Sequence, residues 1–225
     1  MVRFVSLVLF LISTGYVWAA GDAVPRGLPG RLPPEPMPDA PAGTFATAEE
    51  RSDVQTLWQA MISNTAITPE DQSTLATKLS TLRTTYPCDP WVDDMEALVW
   101  NVYVSHSGTP PTPHCLGEWC RYLKEAILKY QTLATGFFNQ AYYDRSLFLI
   151  LELATCYREM FWFYYRVVLG EVPGSSAEAE AKMQELFPLI SQTYALLQGN
   201  TAFEQEAAWR NEQWMMEYMS VFFPE

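Results

Sequence analysis

Four cysteines, two histidines and a knot of acids at one helix start are the side chains of this 225-residue chain whose types and spacing could carry chemistry. The cysteines stand at Cys88, Cys115, Cys120 and Cys156, with no CxxC and no CxxCH. The spacing from Cys115 to Cys120 is wider than the usual zinc knuckle. An even cysteine count in a chain that opens like an exported protein reads first as two disulfides. His106 and His114 flank the proline-rich GTPPTPH segment, 108–114, and with Cys115 they could frame a small metal site. Histidines in such exposed loops are usually solvated, and no metal is assigned. Asp89, Asp93, Asp94 and Glu96 gather where a helix should begin; the helix dipole favours acids there, and no EF-hand spacing is present. Met215, Met216 and Met219 have a spacing that could hold Cu(I), but thioethers beside Trp214 and Tyr218 more commonly fill cores or interfaces. There is no GxSxG elbow and no HExxH. No catalytic residue and no cofactor is assigned, and an enzymatic reading has no constellation behind it.

The N-terminus sets the compartment expected. Arg3, an apolar core from Phe4 to Ile12 and a close in small residues have the layout of a secretory signal peptide, residues 1–19, cut after Ala19 or, as second choice, Ala23. An uncleaved anchor is the alternative, since Phe4 to Ala20 is nearly long enough to span a bilayer. Residues 20–44 form a Pro-rich spacer; seven prolines between positions 24 and 43 leave an extended tether. Residues 45–225 suit one domain with a single core. The whole chain has 14 basic and 26 acidic residues, a formal charge of −12. Losing Arg3 with the signal peptide makes this −13. Such an excess repels phosphate backbones, so nucleic acid is excluded as a partner. The expected location is secreted or periplasmic. Absence of Asn-x-Ser/Thr sequons leans toward a periplasm.

The elements that must position these groups read as helices throughout. Thr47 and Glu50 make a capping box for a helix of 48–64 carrying Val54, Trp58 and Met61 on one face. Thr68-Pro69-Glu70-Asp71 opens a second helix through Leu75, Leu79 and Leu82 to about Tyr86. Asp89-Pro90 opens a third, to about Ser105. The proline segment then interrupts the chain, and Trp119, Leu123, Ile127 and Tyr130 mark a fourth helix, 116–134, ended or bent by Gly136. A fifth runs through residues 140–169. Ser175 or Ser176 caps a sixth, closed by Gly199, and Thr201 with Glu204 boxes the seventh, which carries Phe203, Ala207, Trp214, Tyr218 and Phe222. The expected fold is all-α: about seven helices in a single bundle around the long, apolar fifth helix.

That fifth helix raises the question of a membrane span. Arg145, Glu152, Glu159 and Arg166 recur every seven residues on one slowly drifting stripe, with apolar side chains over most of the remaining circumference. Each charge near a bilayer centre costs about 2.5–3.5 kcal/mol, so no span is expected in the mature domain. The stripe should reach solvent or pair internally.

An antiparallel hairpin about Phe138 sets residues whose numbers sum to 276 level with each other, which pairs Cys120 with Cys156. Cys88 must then meet Cys115, and this requires the third and fourth helices to run roughly parallel. The competing plan joins Cys115 to Cys120 and Cys88 to Cys156. Eight Trp, 12 Tyr and 12 Phe are many for a bundle of this size; they either fill a wide core or line a partner surface. The reading that results is an exported, non-enzymatic interaction domain binding another protein through an acidic, aromatic-rich surface at Trp209, Trp214, Tyr218 and Phe222. A carrier enclosing an apolar ligand in its bundle is the alternative.

Overall fold

The computed structural model describes residues 43–63, 69–106, 111–137 and 140–223. The signal peptide and most of the spacer lie outside them. The described residues form seven helices and no strand: α1 Ala48–Ser63, α2 Pro69–Thr85, α3 Pro90–His106, α4 Pro113–Phe137, α5 Gln140–Val168, α6 Ser176–Ala195 and α7 Thr201–Phe222. No helix among the described residues is long and apolar enough to cross a membrane.

Local chemistry explains the boundaries. At α1 the capping box is complete, with the Thr47 N–H donating to Glu50 Oε2 at 2.8 Å and the Glu50 N–H donating to Thr47 Oγ1 at 3.2 Å. Asp89 caps α3 by accepting the Trp91 N–H at 3.0 Å. Helix α4 begins three residues earlier than its apolar pattern predicts. Thr112 is its cap, accepting the Cys115 N–H at 3.2 Å on Oγ1, and Pro113 fills the first helical position, where its missing N–H costs nothing. The helix runs one residue past Gly136, to Phe137. Gly170, at φ +75°, closes α5 in the left-handed conformation that glycine adopts without strain. Ser175 caps α6 as expected. At α7 the cap is Asn200 rather than Thr201, and Glu204 accepts from the Gly199 N–H instead.

Successive helices pack against each other along the chain, and α5 touches α4, α6 and α7. The α4–α5 pair is antiparallel: Tyr130 stacks on Tyr142 at 5.5 Å, and Cys156 Sγ lies 3.5 Å from the Leu116 carbonyl oxygen. Helices α3 and α4 are also antiparallel, with Asp93 near the start of α3 bonded to Lys129 near the end of α4 and Trp100 against His114 at the opposite end. This corrects the parallel placement that a Cys88–Cys115 bond would need. The apolar core has two parts. A smaller one, around Val54, Leu75, Leu79 and Trp91, lies among α1, α2 and α3; a larger one runs from α3 to α7 around Leu123, Leu151, Phe161 and Trp214.

Candidate functional site

The acids at the start of α3 are not a solvated first turn. Asp89, Asp93, Asp94 and Glu96 are all buried, and each meets a cation from a different part of the chain. Arg51 of α1 reaches Asp89 at 2.9 Å and also lies over the Trp91 ring. Arg83 of α2 bridges Asp93, at 3.2 Å, and Glu96. Lys129 of α4 bonds Asp93. Arg145 of α5 grips Asp94 with both arms of its fork, at 2.7 and 2.8 Å, while the Tyr130 hydroxyl donates to the same carboxylate at 3.1 Å. Burial pushes the Asp89 and Asp93 carboxyls above the usual carboxylate range, against the pull of Arg51 and Lys129. Four carboxylates matched by four cations leave no poised base. The cluster is a buried ionic hub that ties α1, α2, α4 and α5 to α3.

The stripe on α5 pairs internally along most of its length. Beyond Arg145, Glu152 is buried, accepts from Asn101 Nδ2 at 3.3 Å and lies 3.7 Å from Arg210 of α7. Arg158 clasps Glu217 of α7 at 2.9 Å, and Arg166 meets Glu171 at 3.3 Å. Glu159 sits beside Arg158 and Glu217; burial pushes its carboxyl up to about 7, opposed by Arg158 and assisted by Glu217. Between α3, α4 and α5 lies a cavity of ≈ 20 Å³ lined by Asp94, Asn101, Arg145 and Glu152 with Trp119 and Phe148. It has room for one water molecule and has polar partners for it. An apolar cargo would need roughly 300 Å³ or more.

All four cysteines are free thiols, which corrects both expected disulfides. Cys88 is exposed at the start of α3, and Cys115 lies half-buried in the first turn of α4, so the antiparallel packing keeps them at opposite ends. Cys120 and Cys156 are both buried, and the Cys156 thiol donates to the Leu116 carbonyl oxygen. His114 is exposed, the side chain of His106 lies outside the described residues, and Cys115 Sγ accepts from the Thr112 hydroxyl at 3.1 Å. No group of three or more His, Cys, Asp or Glu able to hold a metal occurs among the described residues.

The aromatic residues divide into two populations. Trp214 is fully buried and sits among Phe161 at 4.9 Å, Trp162 at 5.7 Å and Phe187 at 6.0 Å. Tyr218 stacks on Phe222 at 4.7 Å and meets Phe187 at 4.5 Å. Trp214, Tyr218 and Phe222 therefore fasten α7 to α5 and α6, and Trp214 has no surface to offer a partner. Trp209 lies on the other side of α7, 56% exposed. Met216 at 50% and Met219 at 48% join it there, while Phe223, 61% exposed, lies one residue past the end of α7 with its ring 6.2 Å from that of Tyr218. Positions 209 and 216 are seven apart, and 219 falls three after 216, the spacing of a seam made to receive another helix. The sequence reading weighed Met216 and Met219 as a Cu(I) spacing or as core and interface packing, and did not join them with Trp209 into one row. Helix α7 carries four glutamates against a single arginine, and Glu212 is exposed between Trp209 and Met216.

No known family matches this chain, and no curated protein or solved structure is significantly similar to it.

Proposed function

We propose that this is an exported, non-enzymatic helical module that captures a partner protein on the outward face of α7. The partner's matching element is an amphipathic helix with large apolar anchors and basic flanks. The observation that carries this reading is the exposed row Trp209, Met216 and Met219 on a helix whose opposite face packs into the core. Half-exposed Trp and Met side chains at this spacing supply anchor area, about 2 kcal/mol for each side chain that becomes buried. A chain of formal charge −12 repels a second copy of itself and attracts a cationic partner, so the charge favours a basic helix over self-association. The secretory layout of residues 1–19 supports the secreted or periplasmic location. The carrier reading gains no support from a cavity with room for one water molecule.

The test uses two synthetic amphipathic helices with the same apolar anchors, one flanked by Lys and Arg and the other by Glu. The chain is expected to bind the basic helix at least tenfold more tightly. Trp209→Ala with Met216→Ala should weaken that binding by at least tenfold while the far-ultraviolet circular dichroism stays unchanged. Equal affinity for both helices, or no loss in the double variant, removes the α7 face as the site. Concentration-dependent dimerisation by sedimentation, abolished by the same variant, assigns the face to a second copy instead.

A further inference from the structure

The methionines divide by depth as the aromatic residues do. Met61, Met95 and Met183 are buried, and Met160 and Met215 pack half-buried against the larger core. Among the described residues only Met216, at 50%, and Met219, at 48%, are exposed methionines. They stand three residues apart on one face of α7 beside Trp209, with Glu212 exposed one turn before Met216. We propose that Met216 and Met219 are an oxidation site: oxidants of the peroxide class convert both thioethers to sulfoxides and so release the partner helix from α7. Release of a partner rests on the reading of α7 as its docking face.

Exposure decides which sulfurs react. A thioether must meet the oxidant, and Met61, Met95 and Met183 cannot do so unless the core opens. At Met216 or Met219 a lone pair of the sulfur attacks one oxygen of hydrogen peroxide. The O–O bond breaks, the S–O bond forms, and the departing hydroxide takes the proton of the new S–OH group and leaves as water. The sulfur is oxidised by two electrons and the peroxide is reduced by two. On the free chain the new oxygen stays in water, and α7 remains fastened by Trp214 and Tyr218 on its other side, against Phe161 and Phe187. Beneath the apolar anchors of a partner helix the same oxygen must give up its water, and a flexible apolar side chain that fitted those anchors has become polar and chiral. The glutamates of α7 are untouched, so oxidation removes the apolar part of the affinity and leaves the electrostatic part. Reduction by a methionine sulfoxide reductase restores the thioethers.

The test uses the full chain and the basic synthetic helix described above. Hydrogen peroxide is added in graded amounts, and peptide mapping by mass spectrometry follows each methionine separately. Met216 and Met219 are expected to gain one oxygen each about tenfold faster than Met61, Met95 and Met183, with the far-ultraviolet circular dichroism unchanged. The chain oxidised at both positions is expected to bind the basic helix about tenfold more weakly. Met216→Leu with Met219→Leu carries no thioether in the row, so its affinity, whatever its starting value, should be the same before and after peroxide. Oxidation of the buried methionines at the same rate overturns the assignment of the site. So does an affinity that survives sulfoxides at both positions, or one that falls equally in the double leucine variant, which places the damage elsewhere. Failure of the untreated chain to bind the basic helix is seen before any oxidant is added, and it removes the α7 reading itself together with the release built on it.

Discussion

Removing the Arg145 side chain while keeping its volume apolar, as Arg145→Met, strands Asp94 in the ionic hub. Both residues are about 3% exposed, so neither charge can turn to water. Breaking one partner out of a buried pair costs about 3–5 kcal/mol. Asp94 keeps the Tyr130 hydroxyl at 3.1 Å, which places the expected loss near the lower end, about 3 kcal/mol. The reciprocal change, Asp94→Leu, leaves the guanidinium with the attraction of Glu152, so about 3 kcal/mol is expected again. The two together abolish both charges and leave only the Tyr130 hydroxyl without its acceptor, for a total of about 1–2 kcal/mol. The coupling is then about 4–5 kcal/mol, and Tyr130→Phe in the double background should recover most of the remaining loss. Urea unfolding followed by far-ultraviolet circular dichroism measures all four variants. If either single change costs under 1 kcal/mol, or if the double loss equals the sum of the singles, Asp94 and Arg145 are not the closed pair described.

Three further outcomes are expected. The Glu159 carboxyl, raised from 4.5 to about 7 in the folded chain, binds more protons folded than unfolded between those values, so stability is full below pH 4.5 and falls as the pH rises to 7. Glu159→Gln should remove that loss, gaining about 1–3 kcal/mol at pH 8 and nothing at pH 4, and urea curves that shift equally at both pH values would contradict the burial argument. Trp214→Ala should cost about 3–5 kcal/mol because it empties the centre of the aromatic cluster. Trp209→Ala should lie within about 0.5 kcal/mol of the native chain by the same measurement, since more than half of its side chain is exposed.

What could be read from the sequence was what depends on neighbours along the chain. Val54, Trp58 and Met61 form one helical face, Thr47 and Glu50 lie at box spacing, and both signals needed nothing beyond a few residues to either side. The long uninterrupted run of α5 fixed its ends within a residue or two for the same reason. The ionic hub was illegible because the cations that neutralise Asp89, Asp93, Asp94 and Glu96 come from four other helices, 10 to 51 residues away along the chain. Read locally, those acids look like dipole partners of a first turn. Helix α4 started early because Thr112 and Pro113, a cap and its proline, were hidden inside a segment whose other prolines read as loop. The aromatic site was misplaced by weighing residue type over phase. Phe203, Ala207 and Trp214 fall on one side of α7, and Trp209, Met216 and Met219 on the other, a contrast present in the sequence.

The same arithmetic of charge links the hub to the proposed binding face. Four buried carboxylates are matched by Arg51, Arg83, Lys129 and Arg145, so the hub is balanced within itself and the acid excess of the chain lies beyond it. The arginines of α5 and α7 are likewise engaged: Arg158 holds Glu217, and Arg210 bonds Glu206 at 2.6 Å and lies near Glu152. Helix α7 therefore keeps its outward row of Trp209, Met216 and Met219 in a field set by glutamate. An apolar row alone would accept any amphipathic helix, including a second copy of the chain. Within this field, basic flanks gain attraction and acidic flanks pay repulsion, so the residues that anchor a partner and the charges that select it are separate sets.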